Sequence, residues 1–350
     1  GLQIPPLKLY EEGRPNATLF ALIRENVRHP EQVLGDIGSF VAANAIGAAR
    51  LAAFMEEYGL SELGPLAEVV QGRSEAAMRA AIRALPDGVF RAEITNNPMG
   101  VPLRYPVAIT VAGDRIAIDL SGAPPQMPVG GLNCTLNYTA AHATYPLKCM
   151  LTPRVRGNAG CYRPFTVEAP EGSILNCTRP AAVNLRTRTG WYLAPLIFRA
   201  LAEAAPEAVQ AFSGVAVAAT IYGRDGDGRL YSDMLFCGGG QGASAARDGN
   251  SALLWPTSAA NTSIERLEAR CPVLVLEKTF VPGSGGRGRH RGGLGQRVRF
   301  RKREEDGLPM LVSVYPEGVD NPIPGLFGGE PGGGARGRVV DPSGRLLRDS

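Results

Sequence analysis

Tyr105-Pro-Val-Ala-Ile-Thr-Val111, Ala112-Gly-Asp114 and Arg115-Ile-Ala-Ile-Asp-Leu120 are the segments on which the fold reading turns. Two β-rich runs flank a short glycine-containing turn, the pattern of an antiparallel hairpin. The chain before them has the other period. From Glu31 to Tyr58, the residues Leu34, Ile37, Val41, Ala45, Ala48, Ala52 and Met55 recur in steps of three and four, which is one helix face. Small residues fill the second half of that stretch, so another backbone is expected to approach it closely. Ala17 to Arg28 reads as a shorter helix stopped at His29-Pro30, because the residue before proline disfavours the α region. Gly59 caps the long helix, and further helices are expected at 61–70 and 74–84, before Pro86-Asp-Gly88. Helices first and strands afterwards, without strict alternation, predict an α+β fold. It has a helical segment over 1–88 and a mixed or antiparallel α+β core over 89–350, joined by Gly- and Pro-rich loops.

Downstream, the sequence predicts a buried helix at 135–151, a strand at 164–168 and a helix at 189–205. A second hairpin, Val215–Tyr222 with Arg229–Phe236, folds about Gly223–Gly228, and strands follow at 273–281, 296–302 and 310–315. With 44 glycines and 28 prolines, about a fifth of the 350 residues are turn formers, against roughly 12% in average proteins. That excludes a helical bundle, and the lack of a G-X-Y period excludes collagen. The net charge of +4 is too small to argue for nucleic acid. No apolar run approaches the ~18–20 residues of a membrane span, and no signal peptide opens the chain. The expectation is a cytoplasmic protein with neither nucleic acid nor membrane as partner. Residue 1 is Gly, which suggests a processed chain or a piece of something longer.

The local motifs are individually weak. Asp225-Gly-Asp-Gly228 begins like a calcium loop but fails at Arg229 and at Phe236, so it reads as a hairpin turn. Six cysteines without a C-x-x-C pair and three scattered histidines (His29, His142, His290) offer no zinc spacing. No metal site is expected in this chain, and the thiols read as reduced and mostly buried. Gly238-Gly-Gly-Gln-Gly242 lacks the Lys-Ser/Thr of a P-loop. It is either a structural turn or a ligand-side loop, in which Gly239 and Gly240 would offer N–H groups to an anion. Gly283 to Gly295, rich in Arg-Gly, has no aromatic interleaving and reads as an ordered tight loop rather than an RNA-binding segment. Asn158-Ala-Gly-Cys-Tyr-Arg-Pro164 can present Cys161 or Arg163. A nucleophilic Cys161 would need His142 beside it, and a packing role is the stronger reading. No nucleophile elbow, carboxylate pair or kinase loop is present, so the catalytic residues are unassigned.

Taken together, the segments say more. Gly1-Leu-Gln-Ile-Pro-Pro-Leu-Lys-Leu-Tyr10, Asp119-Leu-Ser-Gly-Ala-Pro-Pro-Gln126, Asn158 to Pro164 and Ala169-Pro-Glu-Gly-Ser-Ile-Leu-Asn176 are followed by Arg247-Asp-Gly249, Asn261 to Glu268 and Gly285 to Gly295. In this order, over nearly the whole chain, they resemble the hydantoinase B / 5-oxoprolinase B family. The resemblance implies an ATP-using two-subunit system. An A-type, actin/hexokinase-like partner phosphorylates the substrate's carbonyl oxygen, and the B-type chain handles the activated intermediate. The reaction expected is hydrolysis of hydantoin, 5-oxoproline or a similar cyclic amide. Alternatives are ATP-dependent carboxylation of a ketone of the acetone or acetophenone type, or a non-catalytic scaffold role in such a complex. ATP and a divalent metal are implied for the complex, and neither for this chain. The family's N-terminal His/Asp-rich metal-ligand segment is absent, so the chain reads as truncated at both ends or as one part of a split subunit in a hetero-oligomer.

A chain that grips a phosphorylated intermediate needs fixed cations, and arginine holds phosphate bidentately. Arg163 and Arg186, with Asn158 and Asn184 close before them, join Gly239 and Gly240 as candidate substrate-binding residues. The competing role for the two arginines is to tie loops together or to pair with Glu168 and Glu171. The stripe Leu34–Met55 is the expected contact surface for a companion chain. The isolated chain is expected to release no phosphate from ATP in the presence of a lactam and divalent metal. Lactam-dependent release by this chain alone, read by a phosphate assay, would put the nucleotide site here instead.

Overall fold

The structure is a computed structural model and describes residues 3–303, 307–314, 318, 320–341 and 343–349. Gly1 and Leu2 of the first quoted segment and Tyr315 of the expected 310–315 strand lie outside the described residues. The chain divides into two compact units, Gly1–Val70 and Gln71–Ser350.

In the first unit, β1 (Tyr10–Glu11) and β2 (Arg14–Pro15) form a small hairpin. α1 (Ala17–Asn26) begins where the Asn16 side chain accepts a hydrogen bond from the Leu19 N–H at 3.1 Å, satisfying a donor that a helix start leaves free. α2 (Pro30–Glu57) opens with proline at its first position and Glu31 in its first turn, both suited to a helix N-terminus. α1 packs against α2, whose half-buried positions are Val33, Leu34, Ile37, Val41 and Met55. No residue of α2 is fully buried. The close backbone expected over its second half is not found among the described residues: a Cβ on Gly47 would meet no atom within 4 Å. An 18-residue window of α2 reaches a mean hydropathy of 1.4, so by length and composition this helix is apolar enough to cross a membrane. That corrects the expectation that no such run exists. The run escapes a search for unbroken apolarity because Asp36 and Arg50 interrupt it.

α3 (Gly64–Ile82) is one helix where two were expected, and the division between the units falls inside it. Ser74 does not break it. Its buried hydroxyl accepts a hydrogen bond from Asn158 Nδ2 at 2.8 Å, tying the helix to the loop that Asn158 opens.

The second unit is built on a sheet in the order β3-β4-β5-β6: β3 (Gly88–Asn96), β4 (Leu103–Ala112), β5 (Arg115–Asp119) and β6 (Phe165–Glu168). β4 and β5 are the expected hairpin, with Ile109 opposite Ile118 and, on the other side, Phe90 of β3. β3 was not expected, because Arg91 and Glu93 interrupt its apolar run. Both are exposed, while Phe90, Ala92 and Ile94 pack into the core. β5 and β6 are parallel, which demands a crossover, and α4 (Leu136–Leu151) supplies it. The buried Lys148 ends α4 by donating from Nζ to the carbonyls of Thr152 and Val155. The helix expected at 189–205 is instead two, α5 (Arg186–Gly190) and α6 (Leu193–Ala200). Leu147 from α4 and Leu193, Leu196 and Ile197 from α6 close one core with Val107, Ile109, Val111, Ile116 and Ile118.

β7 (Val217–Arg224) and β8 (Leu230–Cys237) are the second hairpin, turned where Asp225 Oδ1 accepts from the N–H groups of Asp227 and Arg229. α7 (Ile264–Arg270) packs against β8 and β9 (Val273–Phe280), and β10 (Gln296–Lys302) pairs with β9. β11 (Met310–Val314) adds to the free edge of β7. β12 (Arg338–Val340) and β13 (Leu346–Asp349) close the chain as a hairpin. Helices concentrated early and several mainly antiparallel sheets make the fold α+β.

Ile109 lies fully buried at the centre of the main sheet, so Ile109→Ala should lower unfolding free energy by about 2–5 kcal/mol in a urea titration. Thr110→Ala, on the exposed face of the same strand, should change it by less than about 0.5 kcal/mol.

Candidate functional site

Glycine-rich segments after β8, between β9 and β10, and after β11 come together around a cavity of about 840 Å³. Glycine composes these walls because the chains approach too closely for anything larger. A Cβ on Gly242 would stand 1.9 Å from the Ala211 carbonyl oxygen, and one on Gly249 1.9 Å from that of Gln241. Backbone pairing fills the space side chains would need: the Gly293 N–H donates to Gln241 O at 2.8 Å and the Gly249 N–H to Arg291 O at 2.8 Å. The third segment is held the same way, by Glu330 N–H to Arg287 O and Gly333 N–H to Ser284 O. Each bond satisfies a backbone group that would otherwise be costly to enclose.

The charged lining comes from the Arg-Gly-Arg-His run. Arg287, Arg289 and His290 border the cavity, as do Glu330, whose N–H is bonded to Arg287 O, and Glu207. His290 Nδ1 lies 3.3 Å from Asp248 Oδ1. That carboxylate also accepts the Arg291 N–H at 2.9 Å, and this bond, with His290 beside it, holds the Asp248 carboxyl below its ordinary value of 3.8. A lowered carboxyl stabilises the folded form above that ordinary value and loses the contribution as pH falls through the folded one. With Nδ1 facing a carboxylate, Nε2 is the nitrogen left for a ligand. Such a pair can take and return a proton, and two neighbouring guanidinium groups can offset an anion.

The six candidate residues fall in three places. Gly239 and Gly240 line the cavity. The flanking N–H groups of Gly238 and Gly242 are occupied by Asn261 Oδ1 and Ser213 Oγ, so those two donors serve the fold. Asn158 and Arg163 lie elsewhere, against α3. Asn158 caps a 3-10 turn and reaches Ser74, while Arg163 binds Glu75 at 3.2 Å and Gln71 at 2.8 Å. Asn184 and Arg186 form the third group. Asn184 rests on Gly131, and Arg186 places its guanidinium over the Tyr138 ring at 5.4 Å and donates to Val183 O. The acidic partner of Arg163 is thus Glu75, brought near by the folding of α3, and not the expected Glu168 or Glu171.

Neither cysteine of interest looks like a nucleophile. Cys161 is fully buried, with its thiol toward Arg156 O, and His142 stacks on Tyr138. Cys237 reaches the cavity wall, but burial pushes its thiol up against the opposing pull of Lys278. Among the described residues, no three His, Cys, Asp or Glu side chains cluster in a way that could hold a metal ion.

Reasoning from the sequence missed Arg287, Arg289, His290 and Asp248. The Arg-Gly run is visible in the sequence, as an RNA-binding signal and as one segment of the family resemblance, and neither singles out these side chains. Asp248 meets His290 only through the folded loops.

The family model for hydantoinase B/oxoprolinase matches residues 1–348. The B-type chain of a putative D-/L-hydantoinase from Pseudomonas sp. (strain NS671) is 31% identical over 312 residues, which are 84% of this chain and 52% of that protein. The crystal structure of the ATP-dependent caprolactamase from Pseudomonas jessenii superimposes with a TM-score of 0.74 at 26% identity, covering 86% of this chain and 54% of that one. A nucleotide-free acetone carboxylase structure gives a TM-score of 0.79 at 16% identity over 96% of this chain and 47% of that one; this likeness concerns the fold alone. The chain thus spans about half the length of the relatives it matches.

The glycine walls make a direct prediction. Gly242→Ala should destabilise the protein by more than about 2 kcal/mol, because the new methyl overlaps the carbonyl of Ala211, a residue whose own N–H is bonded to Ala243 O beside it. Gly226→Ala, with open space around it, should leave the melting temperature within a degree or two.

Proposed function

The chain belongs to the hydantoinase B/oxoprolinase family, and from that premise we propose that it is part of the B-type chain of an ATP-dependent cyclic amide hydrolase. An A-type partner would phosphorylate the lactam's carbonyl oxygen, and the glycine-walled cavity would receive the product. The observation that carries this reading is the conjunction of Arg287, Arg289 and His290 in the cavity lining, with Asp248 behind His290 at 3.3 Å from its Nδ1.

The chemistry follows from what an amide lacks. Resonance with nitrogen makes its carbon a poor electrophile, and phosphorylation of the oxygen removes that protection. Arg287 and Arg289 would offset the phosphoryl charge and orient the activated ring. Water then adds to the ring carbon while His290 accepts its proton, and Asp248 stabilises the imidazolium so formed. The ring C–N bond breaks as His290 returns the proton to nitrogen. An acyl phosphate remains, and a second water converts it to carboxylate and inorganic phosphate. Ketone carboxylation, the alternative reaction, is supported only by a likeness of fold.

The test is turnover in a complex reconstituted with the A-type partner and the remainder of the B-type chain, assayed with hydantoin, 5-oxoproline and caprolactam. His290→Gln should lower kcat at least about a hundredfold at unchanged melting temperature. Arg289→Ala should act mainly on KM. Arg163→Lys, which loosens a tie to α3, should move stability and leave turnover alone. Full turnover in His290→Gln would remove this cavity from the reaction.

A further inference from the structure

α2 presents a face that no other element of its own unit covers, Phe54 meeting only Tyr58 at the helix end. His29, Val33, Asp36, Phe40, Ala43, Gly47, Arg50, Phe54 and Glu57 repeat at steps of four and three, the spacing of a coiled-coil seam. From Asp36 to Phe54, every one of these positions is exposed; Phe40 keeps 68% of its surface open. His29 and Val33, at the N-terminal end of the seam, are half-buried, and the half-buried Leu34, Ile37 and Val41 lie on another face of the helix. Gly47 adds a cost of its own. Glycine inside a helix is less favourable than alanine, and here a Cβ would meet nothing within 4 Å, so no described residue of its unit uses the space it leaves.

The order of residues along that seam says what the missing partner is. Lay a second copy of α2 antiparallel on the first, with the twofold axis at Ala43. Ala43 then meets Ala43, and Phe40 of each copy falls opposite Gly47 of the other, a large side chain against an absent one. Asp36 faces Arg50, Val33 faces Phe54, and His29 faces Glu57, in each case twice by symmetry. An isologous interface requires this kind of self-complementarity, whereas a partner of different sequence or a lipid surface requires none of it. A lipid surface in particular would leave Asp36 and Arg50 in hydrocarbon unpaired. We propose that this face of α2 is a self-association surface, pairing two copies of the chain antiparallel about Ala43. Each helix overlaps the other along about 40 Å, given a rise of ~1.5 Å per residue.

A charge swap tests the register. The wild-type chain should sediment as a dimer at micromolar concentration. Asp36→Arg and Arg50→Asp should each raise the dimer dissociation constant at least about tenfold by setting like charges opposite each other. The double variant, which restores opposite charges in reversed order, should recover most of that loss. Both positions are exposed, and circular dichroism melts of each variant establish that the monomer is folded. A chain that stays monomeric at every concentration overturns the proposal. So does a dimer indifferent to the single swaps, or a double variant no tighter than the singles. Co-sedimentation with phosphatidylcholine–phosphatidylglycerol vesicles in place of self-association would overturn it in favour of a membrane role.

Discussion

Backbone meeting backbone with no side chain between them is the constraint from which the second unit's cavity follows. At Gly242, Gly249 and Gly293, an added Cβ would lie 1.9 to 2.1 Å from a neighbouring carbonyl oxygen. At that separation the chains are joined by hydrogen bonds instead of side-chain packing, and the wall gains its rigidity from satisfied amides. Gly240 adds a positive φ of 93° and also abuts Gly293, so two separate reasons fix glycine there. A wall built this way offers few reactive groups of its own. Any chemistry proposed for this cavity would rest on the few long side chains that border it, among them Arg287, Arg289 and His290.

The same unit shows why its arginines are poor guides to function when counted. Arg79 joins Glu75 to Asp114, tying α3 to the turn of the β4–β5 hairpin, and Arg83 reinforces it. Arg163 adds a second tie to Glu75, whose carboxyl is held below its ordinary value by hydrogen bonds from Arg79 and then Arg163. Arg266 and Arg270 together meet the nearly buried Asp233, compensating an anion that would be costly alone. These guanidinium groups hold elements in place. The distinction between them and Arg287 or Arg289 lies in what each faces, which is a property of the folded chain.

The first unit poses the opposite problem. α2 is long, apolar and uncovered, and three glycines weaken it without any nearby group using the room they leave. Helices in globular proteins draw most of their stability from packing an apolar face, so a helix of this composition implies contacts beyond those made with α1.

Periodicity alone determined the broad plan. The three-and-four spacing of Leu34 to Met55 gave a helix to within a residue at each end, and the alternation of 105–120 gave the central hairpin, because each pattern reflects burial on one face of a regular element. The ordered set of Gly-, Pro- and Asn-rich segments was enough to indicate the family. Where local signals compete, sequence was a weaker guide. Arg91 and Glu93 hid β3 because solvent-facing charges break an apolar run. The helix over Gly64–Ile82 read as two, since only the fold brings Asn158 to Ser74. The candidate site depended on the fold still more. Asp248 meets His290, and Glu75 meets Arg163, across distances in sequence that no short motif spans. A glycine run does not reveal whether its N–H groups face a ligand or, as at Gly238 and Gly242, are spent on neighbouring side chains. Spacing along the chain fixed which residues share a face of one element. Which faces and loops meet was decided by packing, because contacts between distant segments exist only once the chain has folded.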